Sequence, residues 1–246
     1  DGKILINQIY AFENERIRNH IARTMIISSL KNCLALLKYY NKKLFALLDN
    51  IIEIESIIKE CKNKSVNELL LLEAQAKKIY FNSFDIILEK EKYHFIKRTK
   101  NPPQNEINAL LSYGYSLLYA NYISVIDRSR LYSQISFVHS LTKCSESLQF
   151  DLADILKPVL VDRLVLSLCR HKLLKDEYFD YKSDRCYHNK EGVKFFVEKY
   201  ENYLLKTIKI NNRYYSYRNL ISREVHLLSN YIANESNDYK PYIMKW

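Results

Sequence analysis

Apolar and small residues recur at Ile17, Ile21, Met25, Ser29, Cys33, Leu36 and Tyr40. This three-and-four spacing predicts one long helix from about Glu13 to Tyr40. A second helix is expected from about Leu44 to Lys59. Ser65-Val-Asn-Glu68 has the form of a capping box and opens a third helix toward Lys90. Asn101-Pro102-Pro103 breaks the pattern. Helical spacing resumes from Gln104 to about Ile126, followed by a short extended piece ending in Ile135-Ser-Phe-Val-His139. A helix from Asp151 to Leu174 carries Pro158 in its interior, where a kink is expected. Two more helices cover Glu191–Thr207 and Tyr217–Ala233, and the tail to Trp246 is irregular. Only the first ten residues, Asp1-Gly-Lys-Ile-Leu-Ile-Asn-Gln-Ile-Tyr10, read differently, as a strand or connector. With no internal repeat and no low-complexity linker, the expectation is a single all-α unit.

Composition strengthens that expectation. Three glycines and four prolines are too few to turn many strands. No run of about 18 apolar residues suggests a membrane span, and no signal peptide opens the chain. Five scattered cysteines (Cys33, Cys61, Cys144, Cys169, Cys186) form no C-x-x-C pair, so they read as reduced thiols of a cytoplasmic protein. A formal charge of +10 and 21 tyrosines suit a polyanionic partner. A surplus of Lys, Ile, Asn and Tyr also follows from an AT-rich coding sequence, so charge alone does not decide the function.

The candidate chemistry lies where polar groups interrupt apolar faces. Ser147-Leu-Gln-Phe-Asp151-Leu-Ala-Asp154-Ile-Leu-Lys-Pro158-Val-Leu-Val-Asp162 is apolar on almost every side, yet carries acids at i and i+3. Two carboxylates one turn apart point the same way, and burying them unpaired is costly. A divalent metal resolves that cost; so does an ion pair with Lys157 or Arg163. Glu73 has Leu69, Leu70, Ala76 and Tyr80 as helical neighbours, an apolar face. His139 ends an apolar run. A Glu, His and Asp set suits Mg²⁺ or Mn²⁺ better than thiolate-loving metals, although the spacing alone is not diagnostic. There is no glycine-rich phosphate loop and no serine nucleophile elbow. The remaining histidines share no ligand spacing. Lys97-Arg98-Thr-Lys100, and Arg213-Tyr-Tyr-Ser-Tyr217-Arg218 with Arg223, interleave basic and aromatic side chains. They read equally as phosphate contacts or as solvated helix ends.

Taken in order, these segments resemble the CRISPR-associated integrase family. The resemblance is carried by Glu73-x-x-Ala76-x-x-x-Tyr80-Phe81, by Arg98 through Pro102-Pro103, and by Asn108-Ala-Leu-Leu-Ser112-Tyr-Gly114-Tyr-Ser-Leu-Leu-Tyr119. It continues through Ile135-Ser-Phe-Val-His139 and Leu148-Gln-Phe-Asp151-Leu-Ala-Asp154-Ile-Leu-Lys-Pro158 into Val161-Asp162-Arg163. It implies a metal site on Glu73, His139 and Asp154, with Asp151 assisting, and a tyrosine near the site at Tyr119. It also implies an α-helical metal-dependent catalytic domain over residues 13–246, with residues 1–12 as connector and last strand of an N-terminal β-domain. The loop before the histidine, Asp127-Arg-Ser-Arg-Leu-Tyr-Ser-Gln134, departs from the family's glycine-rich pattern.

The implied activity is insertion of new spacers into CRISPR arrays, by attack of a DNA 3′-hydroxyl on the repeat, with cleavage when water attacks instead. Double-stranded DNA, both spacer precursor and CRISPR repeat, is the implied substrate. The implied protein partners are a small second CRISPR-associated adaptation protein and a second copy in a homodimer. Lys77, Lys97, Arg98, Arg163, Arg218 and Arg223 are expected from charge to meet DNA phosphates. Two rivals remain: a helical nucleic-acid-binding protein without chemistry, its acids paired in the core, and a plain metal-dependent DNA nuclease of defence or repair.

Overall fold

A computed structural model describes residues 2–139 and 146–245; Cys144 and Trp246 lie outside them. The helices are α1 (Gly2–Glu13), α2 (Glu15–Leu44), α3 (Leu48–Glu60), α4 (Val66–Leu88), α5 (Glu106–Ile126), α6 (Leu148–Lys157), α7 (Arg163–Arg170), α8 (Lys190–Leu204) and α9 (Tyr217–Ile232). A π-helical turn, Pro158–Asp162, joins α6 to α7. Two antiparallel hairpins interrupt the helices: β1 (Phe179–Lys182) with β2 (Arg185–His188), and β3 (Thr207–Ile210) with β4 (Arg213–Ser216). The architecture is mostly helical. Among the described residues no helix is long and apolar enough to cross a membrane.

The long helix α2 is the spine. Ile21, Met25, Leu30, Cys33, Leu36 and Leu37 are buried along it, and α3, α4 and α6 pack around it. The Ser65 capping box forms as expected, with both reciprocal bonds present. Asn105, Asn189 and Ser216 cap α5, α8 and α9 in the same way, each accepting an N–H three residues on.

Three sequence expectations change. Residues 2–12 are not strand-like: they lie in α1, whose Ile4, Gln8 and Ala11 share one buried face. The isoleucines of a short apolar run allow either reading, and packing decides. Gln8 ties α1 to the segment that leads to His139. Its Nε2 donates to the carbonyls of Tyr132 and Ile135, and its Oε1 accepts from the Tyr132 N–H. The piece ending at His139 is an irregular loop with no ladder partner among the described residues. The hairpins were hidden because asparagine and serine supply the left-handed backbone that glycine usually provides. Asn211 and Asn212 have φ of 46° and 64°, the signs of a type I′ turn, and Ser183 has φ of 54°.

At Pro158 the regular helix gives way to the π turn, whose Val159, Leu160 and Val161 are all fully buried. Here α5 approaches so closely that a Cβ on Gly114 would sit 2.5 Å from Val161 Cγ1 and 3.2 Å from Phe196 Cζ. Overpacking of this kind costs about 1–3 kcal/mol, and the β-branched valine brings little helix propensity to offset it. Gly114→Val is therefore expected to lower stability by about 2 kcal/mol, read by thermal denaturation; an unchanged Tm would contradict the close approach.

Candidate active site

Helix α4 presents Leu69, Glu73, Ala76 and Tyr80 on its buried face, so Glu73 enters the interior because its helical neighbours do. Loop 135–139 brings His139 beside it, and α6 brings Asp151 and Asp154. All four side chains line one small pocket with Met25, Ile26, Ser29 and Val138. Glu73, His139 and Asp154 also open onto a larger cleft of about 530 Å³, walled by Lys77, Arg98, Lys100, Tyr115, Tyr119 and Lys157.

Asp151 does not face the cleft. Its side chain is fully buried, and it accepts the backbone N–H groups of Phe137 (2.6 Å), Val138 (3.0 Å) and His139 (3.1 Å). It also meets His139 Nδ1 at 2.6 Å. Four donors meet its two oxygens, so Asp151 holds the loop backbone and the His139 ring in place. A carboxylate against Nδ1 places the proton there and leaves Nε2 as the ring's lone-pair donor. That hydrogen bond is also the largest influence raising the His139 pKa; burial opposes it.

Asp154 sits differently. Its Oδ1 accepts from Lys157, with side chains only 20% and 15% exposed respectively. The Lys157 ammonium also lies 4.9 Å from the ring centres of both Tyr115 and Tyr119. Burial opposes the charge on Asp154, but Lys157 and Lys77 hold its carboxyl below the usual range. Glu73 goes the other way: burial first, then the charge of Asp154, pushes its carboxyl up to about 7. The Lys77 ammonium, which donates to Ser29 Oγ at 2.9 Å and lies 3.6 Å from Cys33 Sγ, stays charged against burial through its anionic neighbours. Ser29 in turn donates to the Asp154 carbonyl at 2.7 Å.

No three His, Cys, Asp or Glu side chains among the described residues converge as a ready-made metal cluster. Asp154 faces an ammonium instead. The donor chemistry nevertheless fits a hard divalent cation: two carboxylates, one of them short of compensating charge, and an imidazole whose other nitrogen is fixed by Asp151.

One supporting group has no counterpart among the expected site residues. Asp162, at the end of the π turn, is buried and accepts from Tyr80 Oη (2.8 Å) and Tyr115 Oη (2.6 Å). It ties α4 and α5 to the segment behind the site. Lys157, expected as an ion-pair partner of the acids, and Lys100, from the basic segment after Lys97, also line the cleft. Of the expected DNA contacts, Lys77, Arg98 and Tyr119 line the cleft. Arg98 is braced by Asn108 Oδ1 and Ser112 Oγ, each at 3.0 Å, and Tyr119 packs edge-on against Phe150. Lys97 is exposed outside the cleft lining. Arg163 donates to Tyr217 Oη (3.0 Å), Arg218 pairs with Glu201, and Arg223 pairs with buried Glu224. None of these three lines the cleft.

The model of the CRISPR-associated protein Cas1 family matches residues 1–202. A CRISPR-associated endonuclease Cas1 from Clostridium perfringens is 35% identical over 249 residues, covering all of this chain and 74% of the relative. The structure of a Cas1 protein from Thermotoga maritima superposes with a TM-score of 0.82 at 32% identity, covering 96% of this chain and 74% of that one. A casposase bound to integration product shares the fold, with a TM-score of 0.83 at 22% identity, over 98% of this chain and 72% of that one. With the Glu73, His139 and Asp154 cleft in the same order along the sequence as the motifs that first suggested it, the chain belongs to the Cas1 family of CRISPR-associated proteins.

Proposed function

We propose that this chain is a metal-dependent DNA endonuclease and integrase that inserts spacer DNA into CRISPR arrays, working at the cleft of Glu73, His139 and Asp154. The observation that carries the reading is the meeting, in one basic-walled cleft, of a buried and a part-buried carboxylate and an imidazole held by Asp151. Glu73, Asp154 and His139 Nε2 would hold Mg²⁺ or Mn²⁺. Bound there, the cation supplies Lewis-acid stabilisation of charge on the phosphate under attack.

The chain's own groups do the rest. Asp151 holds the His139 ring and its tautomer. Lys157, Arg98 and Lys100 bring positive charge to the cleft wall, where a phosphodiester must enter past carboxylates. Tyr119 supplies an aromatic edge beside them. The catalytic unit spans residues 13–246, with α1 bracing the histidine loop through Gln8. The partners that fit this reading are duplex DNA, a second copy of the chain, and a small second adaptation protein, all in the cytoplasm.

The test is strand transfer of a labelled 3′-hydroxyl duplex into a supercoiled plasmid bearing a CRISPR repeat. Joined product in Mn²⁺ but not in chelator is expected. Shortened DNA without joining would favour a plain nuclease; binding without any product would favour the non-catalytic reading.

A pH dependence follows from Glu73. Its carboxyl is raised, so protonation is favoured in the folded state and that stabilisation is lost as pH rises through about 7. A cation needs the ionised form, so Mn²⁺ affinity is expected to climb with pH between about 6 and 8, by up to tenfold per unit for one proton released. Calorimetry in buffers of different ionisation enthalpy counts that proton. A flat profile would remove Glu73 from the ligand set.

A further inference from the structure

We propose that this chain grips DNA at a second surface, outside the catalytic cleft, built on the β3–β4 hairpin and the pocket at its base. The inference rests on DNA being the substrate. The segment Leu205–Arg218 holds four cationic residues, Lys206, Lys209, Arg213 and Arg218, and no carboxylate. The hairpin displays this charge instead of burying it. Lys209 pairs across the strands with Tyr214, which is 73% exposed, and the Lys209 ammonium lies 5.9 Å from the Tyr214 ring. Two residues back on the same face of β3, Thr207 enters a pocket of about 290 Å³. Arg163, Lys206 and Lys245 supply charge to that pocket, Tyr203 and Tyr217 wall it, and no Asp or Glu lines it. Among the described residues, Lys206, Lys209, Arg213 and Lys245 make no salt bridge to a carboxylate.

The pocket is built. The Tyr203 and Tyr217 rings stack at 5.1 Å, Arg163 donates to Tyr217 Oη, and Tyr203 Oη donates to the Val159 carbonyl in the π turn. A rigid aromatic floor with mobile lysines at its rim suits phosphate oxygens, which need charge and little shape discrimination. The pocket shares no lining residue with the cleft. Yet Arg163 lies nine residues beyond Asp154 on a near-continuous helical axis, a rise of about 13 Å. The exposed tyrosine and the lysines beside it hold the DNA backbone and leave the chemistry to the cleft.

The test compares the parent with Lys206→Gln, Lys209→Gln and Arg213→Gln combined. A control removes equal charge elsewhere, at exposed Lys42, Lys43 and Lys59. Binding of a labelled duplex is measured in chelator over a range of salt, and strand transfer is measured at saturating DNA. The hairpin variant is expected to bind at least tenfold more weakly, with its log–log salt slope reduced by about 2–3. Its rate at saturation is expected to match the parent's, and the control to lose much less affinity. Tyr214→Ala is expected to weaken binding without changing the slope. Equal losses in hairpin variant and control, or parental affinity in the hairpin variant, would overturn the second surface while leaving the proposed function intact. A parent that binds no DNA would defeat both.

Discussion

Asp151→Asn is expected to lower stability by about 2–4 kcal/mol and to inactivate the cleft together. The native carboxylate accepts three backbone N–H groups and the imidazole, in a fully buried position. An amide keeps the shape but turns one acceptor into a donor, aimed at groups that are themselves donors. Each buried donor left without a partner costs about 1–3 kcal/mol, and the loss of the negative charge removes the strength of a charge-assisted set. With Nδ1 no longer held, His139 loses both its orientation and its tautomer, so metal affinity falls by about 10–100-fold. Denaturation and Mn²⁺ calorimetry on one sample separate the two effects. Parental values in both would refute the positioning role of Asp151.

Asp154→Asn carries the larger functional loss. If Asp154 is a ligand, strand transfer is expected to fall by about 10³-fold or more, since the charge stabilisation at stake is several kcal/mol. The structural consequence is less simple than loss of a ligand, because Asp154 is also the carboxylate partner of a mostly buried Lys157. Breaking a buried pair from one side costs about 3–5 kcal/mol; the faces of Tyr115 and Tyr119 offset part of that. The double change Asp154→Asn with Lys157→Met should therefore recover stability and no activity. Recovery of strand transfer in the double variant would show that Asp154 serves only as a structural ion-pair partner.

Much of this site was legible because carboxylates on apolar helix faces are conspicuous. Glu73 and Asp154 were marked by the residues around them, and of the two outcomes expected for such acids the ion pair is the one seen at Asp154. Asp151 was legible as special but not in its role, since no spacing tells a ligand from an acceptor of loop N–H groups. Tyr80 and Asp162 stood in the motifs, yet their bond links residues 82 apart and no local pattern encodes it. The helices were readable from periodicity. Helix α1 was not, because a short isoleucine-rich run fits two periods until Gln8 finds its partners. The hairpins escaped because turns were sought through glycine, whereas this chain uses Asn211, Asn212 and Ser183. The basic residues were legible only as charge: no local pattern shows that Arg163, Arg218 and Arg223 also take protein partners.

The π turn also sets how this chain can tolerate insertions and deletions. Each residue in a helix advances its phase by about 100°. The wide turn at Pro158–Asp162 works like one residue slipped into the helix, and it fixes the angular offset between Asp154 on one side and Arg163 on the other. Loss of a single codon here would close the turn to ordinary helix, leaving α7 near its present phase but removing the residues that the bulge displays. Asp162 would leave its two tyrosines, and Val161 would leave the notch made by Gly114. Conservative substitutions along this stretch are absorbed as local repacking; a frame-preserving deletion of one residue dismantles the back wall of the cleft at a stroke.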